Sequence, residues 1–422
     1  MKYTADFGWT LALVSLAAAS PLSLAAASPF CAAQTSTTVA TVPEFLSAIA
    51  VAQPGDQIVM QAGSYVFDNA TGFFQVEGGV SVAAEVGAIV AIQSPSASVS
   101  SAVTDQATRL SGLLFLDSLN VLPGAGTVWL QDCSVTGGSG NALLLDQANV
   151  VVRGGTYHCS EPGGVPPFFT GGGGGLFASD SVVTAQDVDF IGTAGMDSLF
   201  WLSTQFSAGP GFHGVGLVRS QAQFSSCRLI GGQGGDGEWE SIISCLSAAP
   251  GGDAIHVWDA ESGYLNLHLN SYEPGAGGAQ ADGCLVTGPL NGADLGGDEF
   301  PPIFSPGYEL ALFGPTQVSG GDTATYGISG PVPVGSSTVP VTGFLMVSAT
   351  PSPGALTLFG ASTFLGQDAV YLATKSNGVS ATEVSVVIPT LPPSIPFLTV
   401  YVQGIEVGPW FTVTTPMAVT ID

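Results

Sequence analysis

The sequence predicts an all-β chain in which a parallel β-helix solenoid is followed by an antiparallel β-sandwich, and three observations carry that expectation. One pattern recurs four times: Val128-Trp129-Leu130-Gln131-Asp132-Cys133-Ser134-Val135, Val150-Val151-Val152-Arg153-Gly154-Gly155-Thr156-Tyr157, Val183-Thr184-Ala185-Gln186-Asp187-Val188-Asp189-Phe190 and Ala222-Gln223-Phe224-Ser225-Ser226-Cys227-Arg228-Leu229. Each segment has small or apolar residues at its first and third positions, then two residues that break the alternation, then a second pair two apart. A period of two puts one side chain in and the next out, and the break turns a corner between two short strands. The segments start at 128, 150, 183 and 222, hence 22, 33 and 39 residues apart. Such spacing suits a coil of about 20–25 residues carrying loops of different length. From about residue 303 the chain changes to short apolar runs separated by turn residues, the spacing of an antiparallel sandwich of about 120 residues.

The first 27 residues read as an export signal. Lys2 and Asp6 precede an apolar run from Phe7 to Ala19, and Leu22-Ser23-Leu24-Ala25-Ala26-Ala27 ends in a small-x-small cleavage pattern; a cut after Ala33 is the alternative. No other stretch reaches about 18 apolar residues, so no membrane span is expected in the mature chain. Next, Phe45, Leu46, Ile49 and Ala52 fall at helical spacing and predict a short amphipathic helix. Pro54-Gly55-Asp56 reads as a turn, Ile58-Val59-Met60 as a strand, and Ala62-Gly63-Ser64-Tyr65 follows.

That opening resembles the right-handed parallel β-helix family of pectate-lyase-like secreted proteins, many of which begin with a helix, a Pro-Gly-Asp turn, an apolar strand and a Gly-(Ser/Thr)-Tyr. The resemblance covers residues 37–300 and implies that the helix caps the open end of the solenoid. Without a cap, that end exposes an apolar cross-section and unpaired strand edges.

Ser81–Val86, Ala88–Ile92, Leu113–Leu116 and Val121-Leu122 fit early coils. Gly-rich insertions at 160–175, 192–213 and 231–252 separate the later ones, and Val257-Trp258 with Tyr264–Leu269 reads as a last, degraded coil. Insertions gathered on one side of a solenoid commonly form its binding face. Residues 303–422 hold apolar runs at Thr323–Ile328, Val339–Val347, Ala355–Phe359, Ala369–Ala373, Glu383–Ile388, Phe397–Val402 and Trp410–Thr414. With a single Lys375 and no His, Cys or Arg, this part reads as a module for attachment, export or spacing.

Composition narrows the function classes. Acidic residues outnumber basic ones 32 to 6, for a formal charge of −26. Nucleic acid binding needs clustered Lys and Arg to displace counterions, so it is excluded. Docking to anionic membranes is disfavoured for the same reason. Six cysteines, Cys31, Cys133, Cys159, Cys227, Cys245 and Cys284, contain no C-x-x-C pair, which argues against a zinc ribbon or a thioredoxin-type centre. Cys133 and Cys159, about one coil apart, could form a disulfide. Cys133 and Cys227 share one repeat position, where a buried thiol can equally act as a small hydrophobe.

Candidate site residues are few. The family resemblance implies lyases that abstract a sugar proton with Arg or Lys and hold Ca²⁺ with carboxylates. Here Arg109, Arg153, Arg219 and Arg228 are the solenoid's only mature candidates, and each reads as an exposed rung arginine paired with a nearby carboxylate. Against the related polygalacturonase pattern, Phe212-His213-Gly214 lacks the first glycine of Gly-His-Gly, while Asp187 and Asp189 would share one outward strand face about 6–7 Å apart. The catalytic candidates are therefore Asp187, Asp189, His213 and Arg219. The run Gly231-Gly232-Gln233-Gly234-Gly235-Asp236-Gly237-Glu238-Trp239 matches most of one calcium-binding nonapeptide, so Asp236, Glu238 and Glu240 are the metal candidates, with Ca²⁺ the ion. Trp201, Trp239 and Trp258 lie in or near the insertions and are the candidates for stacking on sugar rings. His213, His256 and His268 are not at metal-ligand spacing along the chain. The expected function is an exported, non-catalytic β-helix protein of the cell surface or medium, structural or carbohydrate-binding and needing no cofactor. The alternative is a polysaccharide lyase or glycoside hydrolase working in the solenoid groove.

Overall fold

A computed structural model describes residues 35–422 apart from 103–106, 139, 160–162, 166–167, 171, 202–203, 238, 242–243, 246, 260–264, 269, 280–289, 298–302, 305–310, 316, 330–340, 349–356, 359–360, 363–369, 378–380, 392–397, 408–410, 415–416 and 422. Residues 1–27, read from the sequence as an export signal, and Cys31, Glu238 and Cys284 lie outside the described residues.

The four recurring segments stack in register, with Val128 against Val150, Val150 against Val183 and Val183 against Ala222. They belong to a ten-stranded parallel sheet, the first sheet, running from Ser36–Val39 to Ile303–Phe304. A second sheet of eight strands runs from Gly63–Val66 to Ser271–Glu273, and a third of eight from Gln75–Val76 to Leu295–Gly297. The chain visits the first, second and third sheets in turn. The architecture is a parallel β-helix, and it extends one coil beyond the segment read from the sequence as the last. The strands Leu295–Gly297 and Ile303–Phe304 add that coil; they are too short for alternation to reveal them.

The residues that break the alternation make the corner from the first to the second sheet. Asp132, Asp187 and Ser226 have φ of 50°, 54° and 54°, and Gly154 has 66°. This left-handed conformation bends the strand sharply, costs glycine nothing and is tolerated by Asp. Gln147, Asp180 and Arg219, at 47°, 49° and 45°, form a matching column at the corner from the third sheet back to the first. Between corners, Leu130, Val152, Ala185 and Phe224 point inward from the first sheet, and Val135, Tyr157, Phe190 and Leu229 from the second, all fully buried. Each large buried side chain contributes about 1.5–3 kcal/mol of apolar transfer, so the column is what holds the coils in register.

The helix Val42–Ile49 closes the first end of that column. Thr41 accepts from the Glu44 N–H at 3.4 Å, and the Glu44 carboxylate accepts from Thr41 and Ala40 N–H at 3.2 and 2.7 Å. This capping box satisfies donors that the helix start leaves open. Phe45 is fully buried, stacked on Phe74 at 5.2 Å and edge-on to Phe67 at 5.7 Å. The Tyr65 hydroxyl donates to the Val39 carbonyl at 3.0 Å, tying the second coil to the first strand.

Two readings of single residues are corrected. Cys133 and Cys159 are not bridged; with Cys227 they are buried free thiols. Cys133 and Cys227 hold the same corner position, each thiol 3.4–3.5 Å from the carbonyl two residues earlier. Asp187 and Asp189 do not share a strand face. One strand ends at Gln186 and the next begins at Asp189, with Asp187 in the left-handed corner.

The insertions leave the second sheet and return at the third. Three of them end in two-stranded hairpins, Gly163–Val165 with Phe168–Thr170, Leu199–Trp201 with Thr204–Phe206, and Trp239–Ser241 with Ser244–Cys245. Their glycine-rich arms are not strands, yet they bond to one another, alternately within one insertion and across neighbouring coils. Gly292 donates to Gly275, Gly275 to Gly252, Gly252 to Gly232 and Gly232 to Phe212, each N···O distance being 2.8 Å. A side chain at Gly232 or Gly252 would collide with the carbonyl of Thr193 or Phe212.

Among the described residues the C-terminal strands form a three-stranded and a six-stranded sheet and a short pair, Thr357–Leu358 with Ala361–Ser362, antiparallel except where Gln317–Val318 runs parallel to Met417–Ile421. Leu312, Tyr326, Ile328, Leu345, Val384, Val402 and Met417 make a core shared between the two larger sheets, so this part is a β-sandwich. It lies on the outer face of the first sheet. Tyr401 packs on Trp129 at 4.9 Å, and Arg153 and Gln186 donate to the Leu312 carbonyl at 3.0 and 3.4 Å. Arg109 and Arg153 therefore depart from the exposed rung position. Arg109 is 7% exposed and donates to Gln131 Oε1 at 2.8 Å. Desolvation pushes the pKa of both guanidinium groups below the ordinary value. Arg219 and Arg228 are surface rung arginines as expected, paired with Asp180 at 2.7 Å and Glu273 at 2.9 Å.

Candidate ligand-binding site on the third sheet

The outer face of the third sheet carries, at one register position on successive coils, Asn120, Leu144, Phe177, Gly216, His256 and Gly296. Two residues on from His256, Trp258 folds over the gap at Gly216. A Cβ at position 216 would lie 2.6 Å from the Trp258 ring, so glycine makes that seat. Phe177 lies beside it at 5.7 Å between ring centroids, and His256 and His213 lie at 4.4 and 5.3 Å. Trp258 is nevertheless 43% exposed, and Leu144 on the same face is 36% exposed.

Polar groups flank this aromatic surface at both ends of the strand Ile255–Asp259. At the near end, His213 and Asp253 enter the third sheet from the insertions. Asp253 donates its N–H to His213 Nδ1 at 3.0 Å, and its Oδ2 lies 2.5 Å from His256 Nδ1 and 3.6 Å from His213 Nδ1. The Asp253 Oδ1 accepts from the Ala293 N–H at 2.7 Å, so one carboxylate bridges neighbouring coils. The two imidazoles stack with centroids 4.1 Å apart and an interplanar angle of 21°. Desolvation first, then the neighbouring His256, lowers the His213 pKa to about 4, against a smaller opposing pull from Asp253. At neutral pH His213 is therefore uncharged, with Nδ1 as acceptor.

At the far end, Arg219 donates to Asp180 at 2.7 and 2.8 Å and to Asp259 at 3.3 Å. The guanidinium thus sits between carboxylates from the coils on either side. The distance from His256 to Asp259, three residues along a strand, is about 10 Å.

Of the residues singled out in the sequence, the structure brings together His213, Arg219 and Trp258 on this face. Asp187 and Asp189 belong to the opposite corner, between the first and second sheets. Burial raises the Asp187 pKa, with Arg153 pulling it back. Asp236 lies in the glycine-rich arms. Its N–H donates to Asp197 Oδ1 at 2.8 Å and its Oδ1 accepts from Ala279 N–H at 2.6 Å. Trp201 and Trp239 stand on strands of the insertion hairpins, and their side chains, with that of Glu240, lie outside the described residues.

Sequence spacing missed the pairing of His213 with Asp253 and His256. The register Val215 to Ile255 sets that coil at 40 residues, the separation of His213 from Asp253. Residues that far apart look unrelated along the chain, and become neighbours once the coil length is known. No protein-family model matches the chain, and no curated protein matches it.

Proposed function

We propose that the chain is an exported or cell-surface carbohydrate-binding protein that uses the outer face of the third sheet as its binding surface. The observation that carries this reading is Trp258, 43% exposed yet seated over Gly216 beside Phe177. An exposed aromatic ring backed by other aromatic groups is a ready stacking surface for the apolar face of a sugar. Such sites join an apolar surface to a few placed polar groups. The imidazole–carboxylate group at one end and the Arg219 carboxylate pairs at the other supply donors and acceptors for sugar hydroxyls. Export rests on the apolar run Phe7–Ala19 and the cleavage pattern ending at Ala27. A glycan array probed with the purified chain and with Trp258→Ala tests the reading. Binding to one or a few saccharide classes, lost in the variant, is expected; a silent array for the parent chain overturns it.

One observation favours a second reading, polysaccharide cleavage in the same place. Asp253 holds His256 Nδ1 at 2.5 Å, an arrangement that orients the ring and leaves Nε2 free to act as a general base. Release of unsaturated or reducing ends from pectin, alginate or neutral glycans, abolished in His256→Gln, would establish it.

A further inference from the structure

We propose that His213, Asp253 and His256 form a binding site for one divalent transition-metal ion of the zinc type. The inference stands apart from carbohydrate binding and does not depend on it. Each of the three side chains offers one donor atom, and these atoms all lie within 4.8 Å of one another. They come from two adjacent coils: His256 stands in the strand Ile255–Asp259, and His213 and Asp253 each lie two residues before the paired positions Val215 and Ile255, where the Gly214 N–H donates to the Asp253 carbonyl at 3.0 Å.

The spacing fits. Bonds of about 2.0–2.2 Å at tetrahedral angles put donor atoms about 3.3 Å apart. His213 Nδ1 and Asp253 Oδ2 are 3.6 Å apart, close to that value. His256 Nδ1 and Asp253 Oδ2, at 2.5 Å, are at hydrogen-bond separation and must open by roughly 1 Å as metal replaces the shared proton. His213 would release the Asp253 N–H at the same time.

The surroundings are those of a supported ligand set. Asp253 Oδ1 is fixed by the Ala293 N–H at 2.7 Å, which leaves Oδ2 directed at the imidazoles. Gly296 on the next coil leaves room for that oxygen, since any Cβ there would collide with it. Two imidazoles and one carboxylate suit Zn²⁺, Cu²⁺ or Ni²⁺ better than Ca²⁺ or Mg²⁺, which prefer all-oxygen shells. Three protein ligands leave a coordination position open to water or to a ligand oxygen. The chain's excess of 32 acidic over 6 basic residues also draws cations towards its surface.

The test uses the full chain stripped of metal with a chelator and titrated with ZnCl₂ by calorimetry at neutral pH, with bound metal counted by mass spectrometry. One zinc per chain is expected, with affinity reduced at least about tenfold in His213→Gln and in His256→Gln. A second titration with CuCl₂ reads tryptophan emission. Trp258 lies 4.4 Å from His256 between ring centroids, so a saturable one-to-one quench is expected, and Trp258→Phe should remove it. Retained thermal melting shows that the variants fold. If zinc does not bind stoichiometrically, or binds equally well to both histidine variants, the cluster is a hydrogen-bonded structural triad and the proposal fails. A saccharide titration in chelator, run in parallel, reports on carbohydrate binding separately.

Discussion

At the scale of single residues, burial decides what each reactive side chain can do. Cys133, Cys159 and Cys227 are buried, and desolvation pushes each thiol up to about 12. A thiol held in its neutral form is a poor nucleophile. These three should therefore resist a thiol-reactive reagent in the native chain and react on unfolding; labelling read residue by residue by mass spectrometry checks this. Their common sequence position with corner residues marked Cys133 and Cys227 as inward, but nothing in a lone sequence separates a buried thiol from a bridged one. His213 behaves oppositely. Its folded pKa, near 4, lies below the unfolded value of 6.5, because burial and His256 both oppose its charge despite Asp253 nearby. The unfolded chain therefore takes up a proton first as the pH falls. In the metal-free chain, His213's contribution to stability is intact above pH 6.5 and is lost progressively as the pH falls to about 4. Chemical denaturation at pH 7 and pH 4.5 should show that loss, and His213→Gln should reduce it.

At the scale of elements, the corners follow a repeated residue pattern and the glycine-rich arms do not. The broken alternation marks a corner in each of the four repeats by a pair of residues, and the second of each pair, at 132, 154, 187 and 226, has positive φ; the reading of Asp187 as a strand residue beside Asp189 missed this. The pattern was legible because a left-handed bend recurs at the same place in these four coils and admits few residue types. The glycine-rich insertions were legible as insertions but not as structure. Their arms carry no apolar period, and their bonds alternate between the two arms of one insertion (Gly292 to Gly275, Gly252 to Gly232) and the arms of neighbouring coils (Gly275 to Gly252). Glycine there is a packing requirement. Gly232→Ala should drive its methyl into the Thr193 carbonyl and cost about 1–3 kcal/mol. Faster amide exchange in residues 192–213 and 231–252, with the first sheet unchanged, is the expected reading.

At the scale of the whole molecule, the sandwich and the solenoid are joined through side chains of both. The composition of the C-terminal residues, poor in charge and lacking histidine, points to a module for attachment, export or spacing. It could not show that Tyr401 covers Trp129, or that Leu312 receives Arg153 and Gln186. Long-range contacts of this kind depend on which outer side chains face each other, and periodicity within either part does not encode that. Tyr401→Ala removes a side chain 5% exposed and should destabilise by about 3–5 kcal/mol, by analogy with other buried aromatic truncations. Calorimetry should then show a lower melting temperature, with the sandwich loosened from the first sheet.

The proposed binding surface also belongs to the whole solenoid, since its residues come from coils whose spacing varies along the chain. Its most direct test is saturation-transfer nuclear magnetic resonance between the chain and oligosaccharides in solution. Transfer to the ring protons on one face of a bound sugar is expected, with at least about a tenfold loss of affinity in Trp258→Ala. Undiminished transfer in that variant, with the sugar still bound, would contradict the placement of the site on the third sheet.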